Sequence, residues 1–278
     1  MIPFRRILLP TDYSPACEAI LPWVKEMTGR LSCELTLAHG YEEKAAYSSF
    51  ADPDELRRFE DHRLRAYASK VLPVQHVECC AAAGEPGTVI NRIIGEQGSD
   101  LVMLPTHGWG PLRRLLLGSV TAKILHDSSA AVWTANSAAV AHHAPPYRSI
   151  LCALDETSEA EAVLRAGAWL AGEYDASLAI IHVVAFPPAS PEFDYITFER
   201  EITASENARI REMKAKLGVD APHRVVGGMI AAGVREEAVR RKADLIVTGR
   251  GLSQDGIERL WSSLYEIVRE SPCAVLSI

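Results

Sequence analysis

The second half of this chain restates the first at an offset of 143 residues. Asp12 pairs with Asp155, His39 with His182 and Val132 with Val275. Around these anchors Ile7-Leu8-Leu9-Pro10-Thr11-Asp12 matches Ile150-Leu151-Cys152-Ala153-Leu154-Asp155, and Leu35-Thr36-Leu37-Ala38-His39 matches Leu178-Ala179-Ile180-Ile181-His182. Asp100-Leu101-Val102-Met103 matches Asp244-Leu245-Ile246-Val247 one residue further on, so one small indel separates the copies. A duplicated chain must fold as two versions of one unit. Its 278 residues, 48% of them hydrophobic, suffice for two cores. The segment rich in Ala, Pro and His at 135–147 reads as a linker between units at 1–134 and 148–278.

Within each copy, short apolar runs alternate with helical periodicity. In the first, 6–10, 35–39, 74–80, 101–104 and 131–134 read as strands. Helices are expected from Ser14-Pro15, with Ser as N-cap, Pro at the first helical position and an end at Gly29, and over 54–71, 88–97 and 119–127. In the second copy Ser158-Glu159-Ala160-Glu161 fits a capping box. Strands apolar on both faces, separated by helices, predict an α/β fold. The expected architecture is two tandem doubly wound (Rossmann-like) domains, each a five-stranded, mainly parallel sheet with helices on both faces.

Charge and cysteine usage remove several function classes. The net charge is −7, so neither a chain-wide basic footprint for nucleic acid nor a polybasic membrane anchor is present. No apolar run reaches the ~18–20 residues of a membrane span. The short apolar stretch after Arg5-Arg6 reads as a strand rather than a signal peptide. The six cysteines, Cys17, Cys33, Cys79, Cys80, Cys152 and Cys273, lack metal spacing and read as reduced, packed thiols of a cytoplasmic protein.

In open parallel sheets, ligands sit beyond the carboxyl ends of the strands where strand order reverses. After the first strand stands Pro10-Thr11-Asp12-Tyr13-Ser14. The Asp12 carboxylate either accepts hydrogen bonds from a base or ribose, or caps its own turn. After the fourth strand stands Pro105-Thr106-His107-Gly108-Trp109-Gly110, followed by Gly118-Ser119-Val120-Thr121. Gly118-Ser119 opens a helix, whose free N–H groups favour an anion. The hydroxyls of Ser119 and Thr121 add donors, and His107, Arg113 and Arg114 add positive charge. The pattern reads as a phosphate cradle, or as a loop with an ordinary Ser cap. Neither a Walker A sequence nor GxGxxG after the first strand is present.

These residues resemble the universal stress protein family, over nearly the whole chain as two tandem copies. The resemblance rests on Pro10-Thr11-Asp12-Tyr13-Ser14, on His39 closing the second strand, and on the spacing of nine residues between Gly108 and Gly118 before Ser119. It implies ATP binding in the first unit, with Mg²⁺ held mainly by the phosphates. In that reading Pro10, Thr11 and Asp12 meet the adenine end, and Gly40 lies along the base through its backbone. Pro105, His107, Gly108, Gly118, Ser119, Val120 and Thr121 hold ribose and phosphates. Pro105 departs from the family's first motif glycine and has no N–H to offer. In the second unit Trp261 and Ser262 replace the expected Gly-Ser and Leu264 replaces the threonine, so no nucleotide is expected there. Arg250 and Arg259 either receive a different anion or are solvated loop residues.

The remaining candidates have structural readings. His39 and His182 read as satisfied strand-end histidines rather than metal ligands, so no metal site is expected. Arg240-Arg241-Lys242 reads as a solvated helix end. Between Thr106 and Thr121 there is no Asp or Glu, so no general base stands beside the phosphates and no catalytic residue is assigned. The expected function is that of a nucleotide-binding stress or regulatory module. A slow ATPase and a nucleotide-free protein-interaction module are the alternatives. The family resemblance further implies a pseudo-dimer within one chain, through 131–134 and 274–277. It is compatible with a homodimer and with an unidentified protein partner.

Overall fold

Runs such as Ile7-Leu8-Leu9, each at most 1% exposed, cannot face water on either side and become central strands flanked by helices. The computed structural model describes residues 4–42, 52–73, 76–107, 117–185, 195–251 and 257–278. Two compact units form, within 4–146 and 147–278.

The N-terminal unit contains β1 (Arg6–Pro10), α1 (Pro15–Ala19), α2 (Leu21–Leu31), β2 (Glu34–Tyr41), α3 (Pro53–Val71), β3 (Val77–Ala83), α4 (Pro86–Gln97), β4 (Leu101–Pro105), α5 (Ser119–Asp127), β5 (Ala131–Ala135) and α6 (Ser137–His142). Its strand order is β3-β2-β1-β4-β5, with every neighbouring pair parallel. In the C-terminal unit are β6 (Ser149–Leu154), α7 (Ala160–Tyr174), β7 (Ser177–Val184), α8 (Tyr195–Leu217), β8 (His223–Gly227), α9 (Ile230–Arg241), β9 (Leu245–Thr248), α10 (Ile257–Glu270) and β10 (Ala274–Ser277). Their order is β10-β9-β6-β7-β8, again parallel. Right-handed crossovers that reverse direction once place helices on both faces. The α/β, doubly wound expectation therefore holds in both units. No described helix is long and apolar enough to cross a membrane.

Both copies start their sheets with the same device. The Asp100 carboxylate accepts from the backbone N–H of Arg5 (2.9 Å) and Arg6 (3.1 Å). Asp244 accepts from Arg148 (2.7 Å) and Ser149 (3.1 Å). A charged acceptor thus satisfies the amides at the start of β1 and β6.

Several local expectations are corrected. The first helix is two helices, because Pro22 has no N–H to donate and a new turn starts at Leu21, with Trp23 and Val24 N–H both donating to Ile20 O. Gly29 lies inside α2, which ends instead at Ser32 in the left-handed region, φ 53°. The third strand runs three residues past its expected end, to Ala83, and residues 74–75 of the expected run lie outside the described residues. It is a half-buried edge strand whose register is set by pairing Leu35 with Val77 through Tyr41 with Ala83. Within 135–147, the short helix α6 is capped by Asn136, whose side chain accepts from Ala139 N–H. Arg240 and Arg241 do end α9 in solvent contact, and with Arg224 they also clamp Glu237, which is 1% exposed. Burial alone would raise the Glu237 carboxyl, but the three guanidinium groups outweigh it and hold the pKa at about 2.

Helix α7 approaches β6 closely through Gly167. A Cβ there would stand 2.1 Å from Cys152 Sγ, a fully buried atom. Gly167→Ala is therefore expected to destabilise the protein by about 2 kcal/mol, overpacking exceeding the ~1 kcal/mol gain in helix propensity. Cys152→Ala in the same chain should restore most of the loss. Urea unfolding midpoints test this, and a neutral Gly167→Ala would show that the helix stands farther from the strand.

Candidate functional site

The two crossover directions of the N-terminal unit part between β1 and β4, so the crevice for a ligand opens beyond Pro10 and Pro105. At the β1 end the backbone continues through Thr11, whose N–H donates to Ala38 O (2.8 Å). Asp12 is exposed, and its Oδ1 accepts from Ser14 N–H (2.9 Å) and from the Cys17 thiol (3.2 Å). The turn-capping role weighed for Asp12 is thus present. Ser14 caps α1 as expected, accepting from Cys17 N–H.

Tyr13 takes a left-handed backbone, φ 61°. Its ring packs against His39 (4.6 Å between centroids) and edge-on against Tyr67 (5.1 Å), with the Arg63 guanidinium 4.1 Å above it. His39 Nδ1 lies 2.7 Å from Thr11 O, an acceptor, so Nδ1 carries the proton. Burial pushes the His39 pKa below its ordinary value, against the raising effects of the Thr11 carbonyl and of Glu60. Gly40 is the point where α4 meets the sheet. A Cβ on it would stand 2.8 Å from Pro86 Cα, so its smallness serves packing.

At the β4 end, strand and helix are laced together. Thr106 N–H donates to Ala135 O, Gly118 N–H donates to Thr106 O (2.9 Å), and the Thr121 hydroxyl donates to Pro105 O (3.0 Å). Thr121 is buried, so its hydroxyl proton serves this lacing rather than a ligand. His107 Nδ1 lies 2.7 Å from Thr106 Oγ1. Gly118 is the N-cap of α5 with no side chain to satisfy the helix amides. A Cβ on it would stand 3.2 Å from Thr106 O. The first backbone bond of α5 runs from Ala122 N–H to Gly118 O. The amides of Ser119, Val120 and Thr121 therefore precede the intrahelical ladder, as donors at the positive end of a helix dipole. Gly108, Arg113 and Arg114 lie outside the described residues.

Directly after β9, where the corresponding loop of the C-terminal unit begins, the chain supplies its own anion. Glu159 Oε2 accepts from both Arg250 N–H and Gly251 N–H, each at 2.9 Å. A Cβ on Gly249 would stand 2.7 Å from that oxygen. Two successive amides converging on one oxygen form an anion nest, and its occupant is a carboxylate from the start of α7. Arg250 is 3% exposed; burial lowers its pKa to about 10, while the Glu159 charge pulls it upward. The capping box expected at Ser158 is absent. Glu159 itself is the N-cap position and makes no side-chain cap, and the turn is held by Asp155 Oδ1 accepting from Thr157 N–H. At the offset of 143 the counterpart of Glu159 is Ala16, so the N-terminal unit has no equivalent carboxylate. The sequence reading missed this use of Glu159; the Ala16–Glu159 difference between the copies was its signal. The side chains of Arg259, Trp261 and Ser262 lie outside the described residues, and Leu264 is buried.

A family model described as the universal stress protein family matches residues 3–136 and again 146–278. A universal stress protein of Archaeoglobus fulgidus DSM 4304 superposes over 98% of this chain and 95% of its own, with a TM-score of 0.67 at 17% identity. One from Pseudomonas aeruginosa UCBPP-PA14 covers 99% and 93%, with a TM-score of 0.65 at 17% identity. At that identity these likenesses establish the fold. A universal stress protein of Staphylococcus haemolyticus is 26% identical over 136 residues, 46% of this chain and 82% of its own. With the family pattern matched once in each unit, the chain belongs to the universal stress protein family as a tandem of two such domains.

Proposed function

We propose that the N-terminal unit binds an adenine nucleotide, ATP or AMP, and that the chain works as a stress-response or regulatory module. The carrying observation is the uncapped start of α5, with Ser119, Val120 and Thr121 amides at the β4 side of the crevice and the exposed Asp12 carboxylate at the β1 side. Amides at a helix start suit a phosphate, and a carboxylate suits the hydrogens of a base or ribose. The close Gly118–Thr106 approach supports a phosphate met by backbone rather than by a side chain. Pro10, Thr11, Gly40, Pro105, His107 and Gly108 complete the proposed lining. Without an acidic residue between Thr106 and Thr121, Mg²⁺ would be held by the phosphates, and hydrolysis would lack a base. The Glu159 carboxylate supports the reading that the C-terminal unit takes no nucleotide.

The test is nucleotide released on denaturing protein purified without additions, and its loss in Asp12→Ala. Rapid multiple turnover of added ATP would establish an enzyme instead. Absence of binding at millimolar nucleotide would leave a protein-interaction module. We further propose that the two units pair within one chain through β5 and β10, in the cytoplasm. Proteolytic cutting within 136–146 is then expected to leave the halves associated on a sizing column, and their separation would refute the pairing.

A further inference from the structure

The imidazole of His182 is 2% exposed, and its Nε2 has no hydrogen-bond partner. Nδ1 lies 2.8 Å from Leu154 O, a carbonyl that can only accept. In the neutral ring the proton is therefore on Nδ1, and Nε2 then presents a lone pair to its surroundings. A buried lone pair without a donor is a cost the fold carries for some reason. Around it stand two carboxylates, Glu206 Oε2 at 3.5 Å and Glu156 Oε1 at 3.9 Å. Neither distance is a hydrogen bond. The three atoms lie within 4.8 Å of one another.

We propose that Glu156, His182 and Glu206 form a metal site of the C-terminal unit, for a zinc-like first-row dication. Ligand atoms bound at about 2.0–2.2 Å to one zinc stand roughly 3–4 Å apart. The two distances from Nε2 already fall in that range, and the exposed Glu156 can swing to close the third. A carbonyl fixing Nδ1–H while Nε2 faces the ion is the usual outer-shell arrangement of a ligating histidine. Arg209 plays a similar part for Glu206: its Nε donates to Glu206 Oε2 (2.6 Å) and its Nη2 to Asp155 O (2.9 Å), so the carboxylate is held toward the cluster. One imidazole with two carboxylates suits zinc better than magnesium or calcium, which prefer oxygen throughout. The exposure of Glu156 leaves a side open for water as a fourth ligand.

The other copy supplies a comparison. His39 repeats the arrangement, with Nδ1 bound to Thr11 O and Nε2 3.7 Å from Glu60 Oε2, and Arg63 beside Glu60. At the offset of 143, however, Glu156 corresponds to Tyr13, whose ring packs on His39. Burial raises the Tyr13 phenol above its ordinary pKa, so it stays neutral and a poor ligand. The third ligand is therefore peculiar to the C-terminal unit.

The experiment titrates the full, chelator-stripped chain with zinc chloride against a chromophoric competitor. One zinc per chain is expected to bind. Glu156→Gln, an exposed change that should leave the metal-free melting temperature unaltered, is expected to weaken it at least about tenfold. Cobalt chloride should give a visible d–d band that Glu156→Gln removes. His182→Gln should abolish both, but the Glu156 variant carries the test if burial of His182 makes that chain unstable. No stoichiometric binding overturns the proposal. So does zinc affinity unchanged in Glu156→Gln, which would assign the ion to other histidines such as His142 and His143.

Discussion

Gly118→Asp is expected to cost at least about a hundredfold in nucleotide affinity, about 2.8 kcal/mol, while leaving the protein folded. The residue already has extended N-cap geometry, φ −59° and ψ 141°. Aspartate is a good N-cap, accepting from amides two or three residues on, and gains a few tenths of a kcal/mol over glycine there. Against this stands the new Cβ, 3.2 Å from Thr106 O, so net stability should change by no more than about 1 kcal/mol. Binding suffers twice. The carboxylate takes the amides that phosphate would take, and it repels the phosphate charge in place of a helix dipole that attracted it. Gly118→Ser adds a similar Cβ without the charge and should lose distinctly less. At the other end of the crevice, Asp12→Asn keeps an acceptor for Ser14 N–H and isolates the ligand contact from the turn, which Asp12→Ala does not. Calorimetric titration with ATP and AMP, beside thermal melts, reads both quantities. Wild-type affinity in Gly118→Asp would remove the start of α5 from the ligand site.

What the sequence disclosed follows from where the physics is local. Strand runs buried on both faces, such as β1 and β4, and the Ser14 cap are local signals, and each appears in the structure near its expected place. The doubling at 143 residues carried the tandem fold. β3, which outruns its expected end, lies at a sheet edge, where half-burial weakens alternation and pairing with β2 decides the register. The roles of Glu159 and Glu237 were not legible in sequence for one common reason: their partners are remote in sequence or hidden by burial. Arg250 lies 91 residues from Glu159, and nothing in the chain order says that Glu237 is enclosed by three arginines. The strand-end histidines illustrate the same limit. His39 and His182 look equivalent in sequence, and only the neighbours that folding gives them, Tyr13 in one case and Glu156 in the other, separate their chemistry.

Glu159→Ala should damage the C-terminal unit strongly, costing about 2–4 kcal/mol for the two amides it leaves without their acceptor. The carboxylate is the acceptor for two adjacent amides and the counter-charge for the buried Arg250 guanidinium. Removing it withdraws that acceptor and that nearby negative charge together, leaving two amides and a buried guanidinium less well satisfied. Glu159→Gln keeps the shape and an acceptor oxygen but not the charge, so its loss should be smaller, about 1–2 kcal/mol. The alanine variant also uncovers the nest. An inorganic anion that enters it would stabilise the folded state by RT ln(1 + [L]/Kd), about 1.4 kcal/mol at ten times its Kd. Thermal melts across a phosphate series at constant ionic strength should therefore rise more steeply for Glu159→Ala than for the wild type, whose nest is already filled. Parallel slopes would mean that the amides of Arg250 and Gly251 cannot serve an external anion even when uncovered. A wild-type melting temperature in Glu159→Ala would show that the carboxylate contributes nothing at that place. The contrast with Ala16 gives the result its meaning: the position that carries this carboxylate in the C-terminal copy carries only a methyl group in the N-terminal one.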